Sequence, residues 1–376
     1  SRLIHVEAAV TTQEANRAIV YDAGLASASP PPGKLAWVDT EGAPQRIEIA
    51  PAADRSLAVR SRSIILEADH GSLACFPPPH QYFYPRDITD NQSTVWYGVN
   101  HRELDTRFGF GIGQTEKGGG PWVPWFNAPP GTLQRLGVFY LLARGNADAA
   151  RRETLRYTND DRFPDLPGYK KLTSHWHMAI TVAAMAEKAK GGARSIPDFV
   201  TMFKEMGVDL VHLAEFHGDG HPQDPGKIRL DELAAMFDEC RRLSDDRILF
   251  IPGEEANVYL NTTQPGAEAG HWLYLFPRPV FWTMKRAEGQ PFEEEMPGYG
   301  KVYHVGDRAD MIRLIEEEKG LAWTAHARIK SSSWAPDGYR YEDFYKSNRW
   351  LGAVWKAMPA DLSDDRLGRR VLDLFD

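Results

Sequence analysis

The sequence is poor in cysteine, with only Cys75 and Cys240 in 376 residues. The two lie far apart in the chain, so the sequence supports neither a disulfide framework nor a thiolate metal site. Any metal ion must therefore be held by histidine and carboxylate side chains.

Long apolar runs and blocks of like charge are also missing. No apolar run approaches the length of a membrane-spanning helix. The formal net charge is -8, and acidic and basic residues are interspersed, which argues against a nucleic-acid surface. We therefore expect a small-molecule or glycan substrate, no nucleic-acid partner and no membrane span. The oligomeric state stays open.

The printed chain begins Ser-Arg-Leu without an initiator Met, and we expect no signal peptide in it. This indicates a processed or engineered start. The sequons at Asn91 and Asn261 matter only on a eukaryotic secretory route. The compartment stays open, with a lean towards a periplasmic or secreted protein.

The length of the chain exceeds the size at which a single core remains efficient, so two domains are expected. Residues 1–160 consist mainly of short β-type runs between Pro, Gly and Asp turns, for which an antiparallel β-sandwich is the simplest packing. Leu133 to Ala143 predicts a further strand, and Ala147 to Tyr157 predicts a helix. A Pro-rich stretch then leads into a second domain over 168–376.

A loop rich in glycine and aromatic residues spans 105–132 of the first domain. Its Gly-x-Gly-x-Gly run does not indicate a phosphate loop, because no βαβ context surrounds it and no Gly-Lys-Ser/Thr follows. Trp122, Trp125 and Phe126 are candidate substrate-binding residues that would form a stacking platform for a sugar or aromatic ligand. The alternative is that these rings pack onto the neighbouring domain.

Helices and strands alternate after Gly168. Pro197 to Met206, Leu230 to Leu243 and Ala309 to Lys319 predict helices, and each is followed by an apolar strand. A His or Glu lies just past the end of each strand. This order is typical of an α/β barrel, whose sites lie at the carboxyl ends of parallel strands.

Ligand-type side chains gather at these strand ends. His175 and His177 are two residues apart, so both would point to one face if their segment is a strand, although this spacing also arises by chance. Later segments strengthen the pair: Glu215 to His221, Glu254 with Glu255, His271, and His326. Five other histidines are interpreted as hydrogen-bonded core residues: His5, His70, His80, His101 and His212.

The order and type of these residues resemble the polymerase and histidinol phosphatase (PHP) superfamily, and within it the CehA/McbA-like group, from roughly Gly168 to the C-terminus. His175-Trp-His177 resembles the opening His-x-His motif, and Pro-Gly-Glu254 resembles the bridging glutamate. His217 is similar to the histidine of the second motif, but Glu215 and Phe216 precede it where the family has an adjacent Asp. The metal ligands that the resemblance implies are His175, His177, His217, Glu254, His271 and His326.

The resemblance implies a PHP-like distorted (β/α) barrel behind the β-sandwich. The family closes its site with an Asp-x-His, whereas no histidine follows His326 here. Either one metal position is altered or the barrel is incomplete at the C-terminus. We favour the second, because Arg369 to Asp376 ends in an uncapped amphipathic helix.

The chemistry implied by the resemblance uses two or three Zn, Mn or Fe ions, which lower the pKa of a water so that hydroxide attacks phosphorus or a carbonyl carbon. Arg328 and Lys330 would bind an anionic substrate or stabilise transition-state charge, or they form a solvated basic edge. Asp219 and His221 are candidates for proton transfer, or part of a tight turn.

Three hypotheses follow from the sequence. The first is a metal-dependent hydrolase of a phosphoester, ester or amide, in which Glu254→Gln would abolish activity without loss of fold. The second is a carbohydrate-active enzyme, with metal-assisted glycoside cleavage or elimination and a glycan site shaped by the β domain. The third is a degenerate, non-catalytic binding protein.

Overall fold

The computed structural model of the chain describes residues 2–14, 17–19, 21–61, 63–77, 94–103, 108–113, 126–127, 130–131, 133–177, 180–215, 227–256, 272–325 and 343–354. It is a strand-rich mixed α/β structure with several antiparallel sheets and one half-barrel sheet. The chain divides into two compact units. Of the described residues, the first unit holds those up to Asp165 together with Pro197–Gly207, and the second holds Leu166–Ile196 and those from Val208 onward.

The described strands, in chain order, are β1 (Leu3–Thr11), β2 (Ala18–Ile19), β3 (Asp22–Ser27), β4 (Lys34–Val38), β5 (Pro44–Glu48), β6 (Arg55–Ala58), β7 (Ile64–Ala68), β8 (Gly71–Phe76), β9 (Thr94–Gly98), β10 (Phe108–Gly113), β11 (Phe126–Asn127), β12 (Leu133–Ala143), β13 (Leu172–Trp176), β14 (Leu210–Glu215), β15 (Leu249–Ala256), β16 (Trp272–Leu275), β17 (Phe281–Thr283), β18 (Glu293–Met296), β19 (Gly300–His304), β20 (Leu321–Ala325) and β21 (Trp350–Val354). The described α-helices are α1 (Ala147–Tyr157), α2 (Ile180–Lys190), α3 (Asp198–Met206), α4 (Lys227–Leu243), α5 (Arg308–Glu317) and α6 (Asp343–Lys346). Two short 3-10 turns span His101–Glu103 and Asn159–Asp161. None of the described helices is long and apolar enough to cross a membrane.

The first unit contains two larger antiparallel sheets, ordered β1-β12-β8-β7-β4-β5 and β3-β10-β9-β6, and a short pair β11-β2. Alternating apolar residues of both larger sheets join one buried cluster, which includes Leu35 and Ile64 from one sheet and Val95 and Phe110 from the other. Helix α1 packs against other apolar residues of the first sheet, and its N-terminus is capped by the side chain of Asn146.

A buried histidine, His101, lies shortly after β9 of the four-stranded sheet. Its Nδ1 lies 2.7 Å from Oδ1 of Asp54, and its Nε2 lies 3.5 Å from Oδ1 of Asp22. The ring stacks on Trp96 at a centroid distance of 3.8 Å. The interpretation of His101 as a partnered core residue is confirmed. The same interpretation is wrong for His5 and His70, which are exposed, and His80 lies outside the described residues.

The second unit is built on a six-stranded sheet with the order β13-β14-β15-β16-β20-β21. Strands β13, β14 and β15 are parallel, whereas β16 runs antiparallel to both β15 and β20. Because β16 is reversed relative to both neighbours, β20 has the same direction as β15. The carboxyl ends of β13, β14, β15 and β20 therefore lie at one edge of the sheet, which is where α/β barrels carry their sites.

Helices predicted from periodicity are confirmed as α3, α4 and α5. Helix α3 ends at Gly207, whose φ of 75° is the left-handed conformation that glycine adopts without strain. Each of the three helices leads into an apolar strand, namely β14, β15 or β20. Contacts group α3 with the first unit, although it was expected to be a helix of the second domain: Glu205 pairs with Arg60 of the first unit.

Candidate metal centre

Two histidines and a glutamate meet at the carboxyl ends of β13 and β15. Nε2 of His175 lies 2.5 Å from Oε2 of Glu255, and Nε2 of His177 lies 3.6 Å from the same oxygen. One possible ligand atom from each side chain lies within 4.8 Å of the others. The side chains of His175, His177 and Glu255 are 8%, 18% and 2% exposed, so the group is largely shielded from water. Within the described ranges, this is the one group of three such side chains that can hold a metal ion.

The histidine pair depends on an irregular end of β13. His175 has φ 67°, a left-handed conformation that costs a non-glycine residue about 1–2 kcal/mol. The register with β14 shifts between Thr173 and Trp176, and His177 lies just beyond the end of the strand. The two rings nevertheless face each other, with centroids 5.0 Å apart. The structure therefore brings the predicted pair together through a bulge rather than through the regular alternation of a strand.

Strand β15 carries two adjacent glutamates, which point to opposite faces of the sheet. Glu255 faces the two histidines. Glu254 is engaged elsewhere: its Oε1 accepts a hydrogen bond from Nη2 of Arg229 at 2.6 Å, and its Oε2 accepts one from Nε1 of Trp282 at 2.5 Å. The structure thus places Glu255, and not the predicted Glu254, against the histidines.

Glu215 lies on the same face of the sheet as Glu254, because the two are direct neighbours in the parallel register of β14 and β15. Its Oε2 accepts a hydrogen bond from the backbone N–H of Thr181 at 2.9 Å. This bond satisfies one of the amide groups that the first turn of α2 leaves without a helical partner. Glu215 therefore anchors the helix that begins shortly after His177.

His212 lies on the other face of the sheet from Glu215 and Glu254, which is the face that carries Glu255. Its Nδ1 lies 3.0 Å from Oγ of Ser174, and its Nε2 lies 3.2 Å from the carbonyl oxygen of Tyr274. Burial, together with the nearby His175, lowers the pKa of His212 to about 4, so the ring is neutral near pH 7. A carbonyl can only accept, so Nε2 carries the proton and Nδ1 accepts the hydroxyl proton of Ser174. The interpretation of His212 as a hydrogen-bonded core residue is confirmed.

Gly253 makes room for this ring. A Cβ atom at position 253 would lie 1.9 Å from Nε2 of His212 and 2.6 Å from the carbonyl oxygen of Tyr274. The space rather than the backbone conformation requires glycine, because residue 253 lies within a regular strand. In the sequence Pro252-Gly-Glu254-Glu255, Gly253 leaves the space that the ring of His212 occupies, and Glu255 is the carboxylate that faces the histidine pair.

The remaining predicted site residues lie outside the described part of the chain. They are the ligands His217, His271 and His326, the candidates Asp219, His221, Arg328 and Lys330, and the rings Trp122 and Trp125. Phe126 belongs to β11, where it pairs with Ile19, and its side chain is outside the description. The predicted helix at Arg369 to Asp376 also lies outside the described residues.

No protein-family model matches the sequence, and no curated protein matches it. The resemblance to the PHP superfamily therefore rests on the residues of this chain and their order.

Proposed function

We propose that this chain is a metal-dependent hydrolase in which His175, His177 and Glu255 hold a divalent cation. The observation that carries the proposal is the approach of two imidazole Nε2 atoms to one buried carboxylate oxygen. Two histidines and one glutamate form the protein ligand set of several catalytic zinc sites, which keep a further position for water or substrate.

The donor set fits the cation that the resemblance implies. Neutral imidazole nitrogens and a carboxylate oxygen, without thiolate, suit Zn²⁺, Fe²⁺ or Mn²⁺. The side chain of Glu255 is 2% exposed and lies against the two imidazoles. A cation bound there would pair with this buried carboxylate, and buried charges are stabilised by a partner of opposite sign.

A cation bound there would generate hydroxide from water at neutral pH and polarise the electrophilic atom of a phosphoester, ester or amide. The chain itself supplies the Nε2 atoms of His175 and His177 and one carboxylate oxygen of Glu255, all largely shielded from water. A second or third ion would require His217, His271 or His326. The carbohydrate-active alternative depends on Trp122 and Trp125, which lie outside the described ranges, and on the β-sandwich. The binding-protein alternative depends on the missing Asp-x-His motif.

For the fold, we interpret the first unit as a β-sandwich and the second as a PHP-like distorted barrel. The shared core of the two larger sheets supports the first interpretation. The common edge at which β13, β14, β15 and β20 end supports the second. The reversed β16 gives the sheet one strand that an all-parallel barrel would not have.

Metal uptake by the full chain tests the proposed function. The chelator-treated protein is titrated with Zn²⁺, Mn²⁺ and Fe²⁺ by calorimetry, and the bound metal is confirmed by elemental analysis. His175→Ala and Glu255→Gln should abolish or strongly weaken uptake. Glu293→Gln, which removes a half-exposed glutamate of β18, is the matched control and should bind like the parent protein. A parent protein that takes up no metal would refute the proposal.

Activity then identifies the reaction class. The metal-loaded protein is assayed on nitrophenyl phosphate, nitrophenyl acetate and a panel of oligosaccharides. Turnover of either nitrophenyl substrate that is lost in Glu255→Gln supports a hydrolase. Turnover of the oligosaccharides alone would support the carbohydrate-active alternative instead.

A further inference from the structure

We propose that Ser174 and His212 are positioning residues that set the metal affinity of the candidate centre by holding His175 in its left-handed conformation. This inference rests on the proposed function, because it concerns the same three ligands. His212 is not part of the group of ligand atoms that the described structure brings together. The contribution of Ser174 and His212 is to fix the backbone from which His175 projects.

The first step is the position of Ser174, immediately before His175 in the bulge of β13. The Ser174 hydroxyl is one bond from Cβ, so a hydrogen bond from Oγ to Nδ1 of His212 restrains the backbone at that point. The next residue has φ 67°, which a non-glycine residue keeps only when its surroundings impose it. Without that restraint, His175 is expected to relax towards an extended conformation and to move its imidazole away from Glu255.

The second step is that His212 is a rigid anchor. Its ring is fully buried, and its other nitrogen bonds to the carbonyl of Tyr274 on β16. The ring also packs against Trp323 of β20, with centroids 5.0 Å apart. The missing Cβ at Gly253 leaves a space that the ring fills. Because β15, β16 and β20 enclose the ring, the hydrogen bond restrains Ser174 against a fixed partner.

The third step is that the two nitrogens of His212 can be tested separately. In His212→Asn, the amide oxygen takes the place of Nδ1 and accepts from Ser174, while the contact with Tyr274 is lost. In His212→Gln, the amide nitrogen takes the place of Nε2 and donates to Tyr274, while the contact with Ser174 is lost. Both variants lose a buried ring, so both should be destabilised. If the role were only structural, metal affinity would change alike in both.

The experiment measures Zn²⁺ affinity of the full chain by competition with a chromophoric chelator, and coordination geometry from the visible spectrum of the Co²⁺-loaded protein. Ser174→Ala and His212→Gln should weaken Zn²⁺ binding by about 10–100-fold and change the Co²⁺ spectrum, as is common when residues that orient metal ligands are removed. His212→Asn should bind much more tightly than His212→Gln. Ser72→Ala is the control, since it removes a buried hydroxyl of the first unit that donates to the carbonyl of Gly145.

The outcomes separate this inference from the proposed function. If the parent protein binds no Zn²⁺, both are overturned. If the parent binds Zn²⁺ and Ser174→Ala keeps the parent affinity and spectrum, the positioning role is wrong while the metal centre stands. Equal losses in His212→Asn and His212→Gln would likewise overturn the positioning role. Ser174→Ala removes a single oxygen atom, so it keeps the test decisive if the His212 variants do not fold.

Discussion

Replacing Glu254 by Gln tests which of two adjacent glutamates belongs to the metal centre. The side chains of Arg229 and Glu254 are 1% and 5% exposed, and the guanidinium lies over the ring of Trp282, 4.1 Å from its centroid. Both carboxylate oxygens accept hydrogen bonds, one from Arg229 and one from Trp282. Gln has a single acceptor oxygen, so it cannot satisfy both donors, and it removes the carboxylate charge that lies 2.6 Å from the buried guanidinium. Removing one partner of a buried ion pair costs about 3–5 kcal/mol.

The expected result for Glu254→Gln is therefore a loss of unfolding free energy of about that size, measured by urea denaturation of the metal-free protein. The molecules that remain folded should bind Zn²⁺ like the parent protein. Glu255→Gln should show the reverse profile, in which the dominant change is the loss of metal affinity. The reasoning would be refuted if Glu254→Gln unfolded within about 0.5 kcal/mol of the parent and lost its metal. That outcome would restore Glu254 as the bridging ligand.

Three further predictions concern other buried groups. Gly253→Ala should lower the unfolding free energy by about 1–3 kcal/mol, because the new Cβ overlaps the ring of His212; an unchanged urea midpoint would contradict this. Burial opposes the charge of His101, but its two carboxylate partners dominate and raise its pKa. Its stabilising effect should therefore be complete below the unfolded pKa of about 6.5 and be lost as pH rises through the folded pKa. His101→Gln should flatten that dependence in denaturation curves recorded from acid to mildly alkaline pH, and an identical pH profile would argue against it. Burial raises the pKa of Cys75 to about 12 and also raises that of Cys240, so iodoacetamide should label neither thiol until the protein is unfolded. Mass spectrometry would detect rapid labelling of the native protein, which would contradict this prediction.

Local pattern accounts for much of the second unit. The 3.6-residue periodicity of Leu230 to Leu243 predicted a helix, and α4 spans Lys227–Leu243. The apolar run Leu321 to Ala325 predicted a strand, and β20 has those bounds. Such features depend on residues close together in the chain. The direction of β16 does not depend on nearby residues. It is set by the strands with which β16 pairs, and the residues Trp272–Leu275 do not specify those partners.

At the candidate site, too, the local sequence predicts some features and tertiary contacts determine the others. The spacing of His175 and His177, together with the later strand-end residues, predicts that the pair shares one face, but not that it meets through a left-handed residue and a shifted register. Such a bulge depends on tertiary contacts, here the hydrogen bond between Ser174 and His212, which are 38 positions apart. His212 was assigned to the core on its mid-strand position alone. Its link to the site required the three-dimensional neighbours of its two ring nitrogens.

The choice between the two glutamates follows from the two faces of the sheet. Alternation along β15 means that only one of Glu254 and Glu255 can face the histidines, but alternation alone does not say which. The register decides it: Glu254 lies beside Glu215 on β14, and both carboxylates are bound by groups of the helices that cover that face, Arg229 of α4 and the backbone of α2. The helix face thus supplies Glu254 with a buried cation. Glu255, on the opposite face, lies against two imidazoles, and this grouping makes it the carboxylate that is suited to a metal ion.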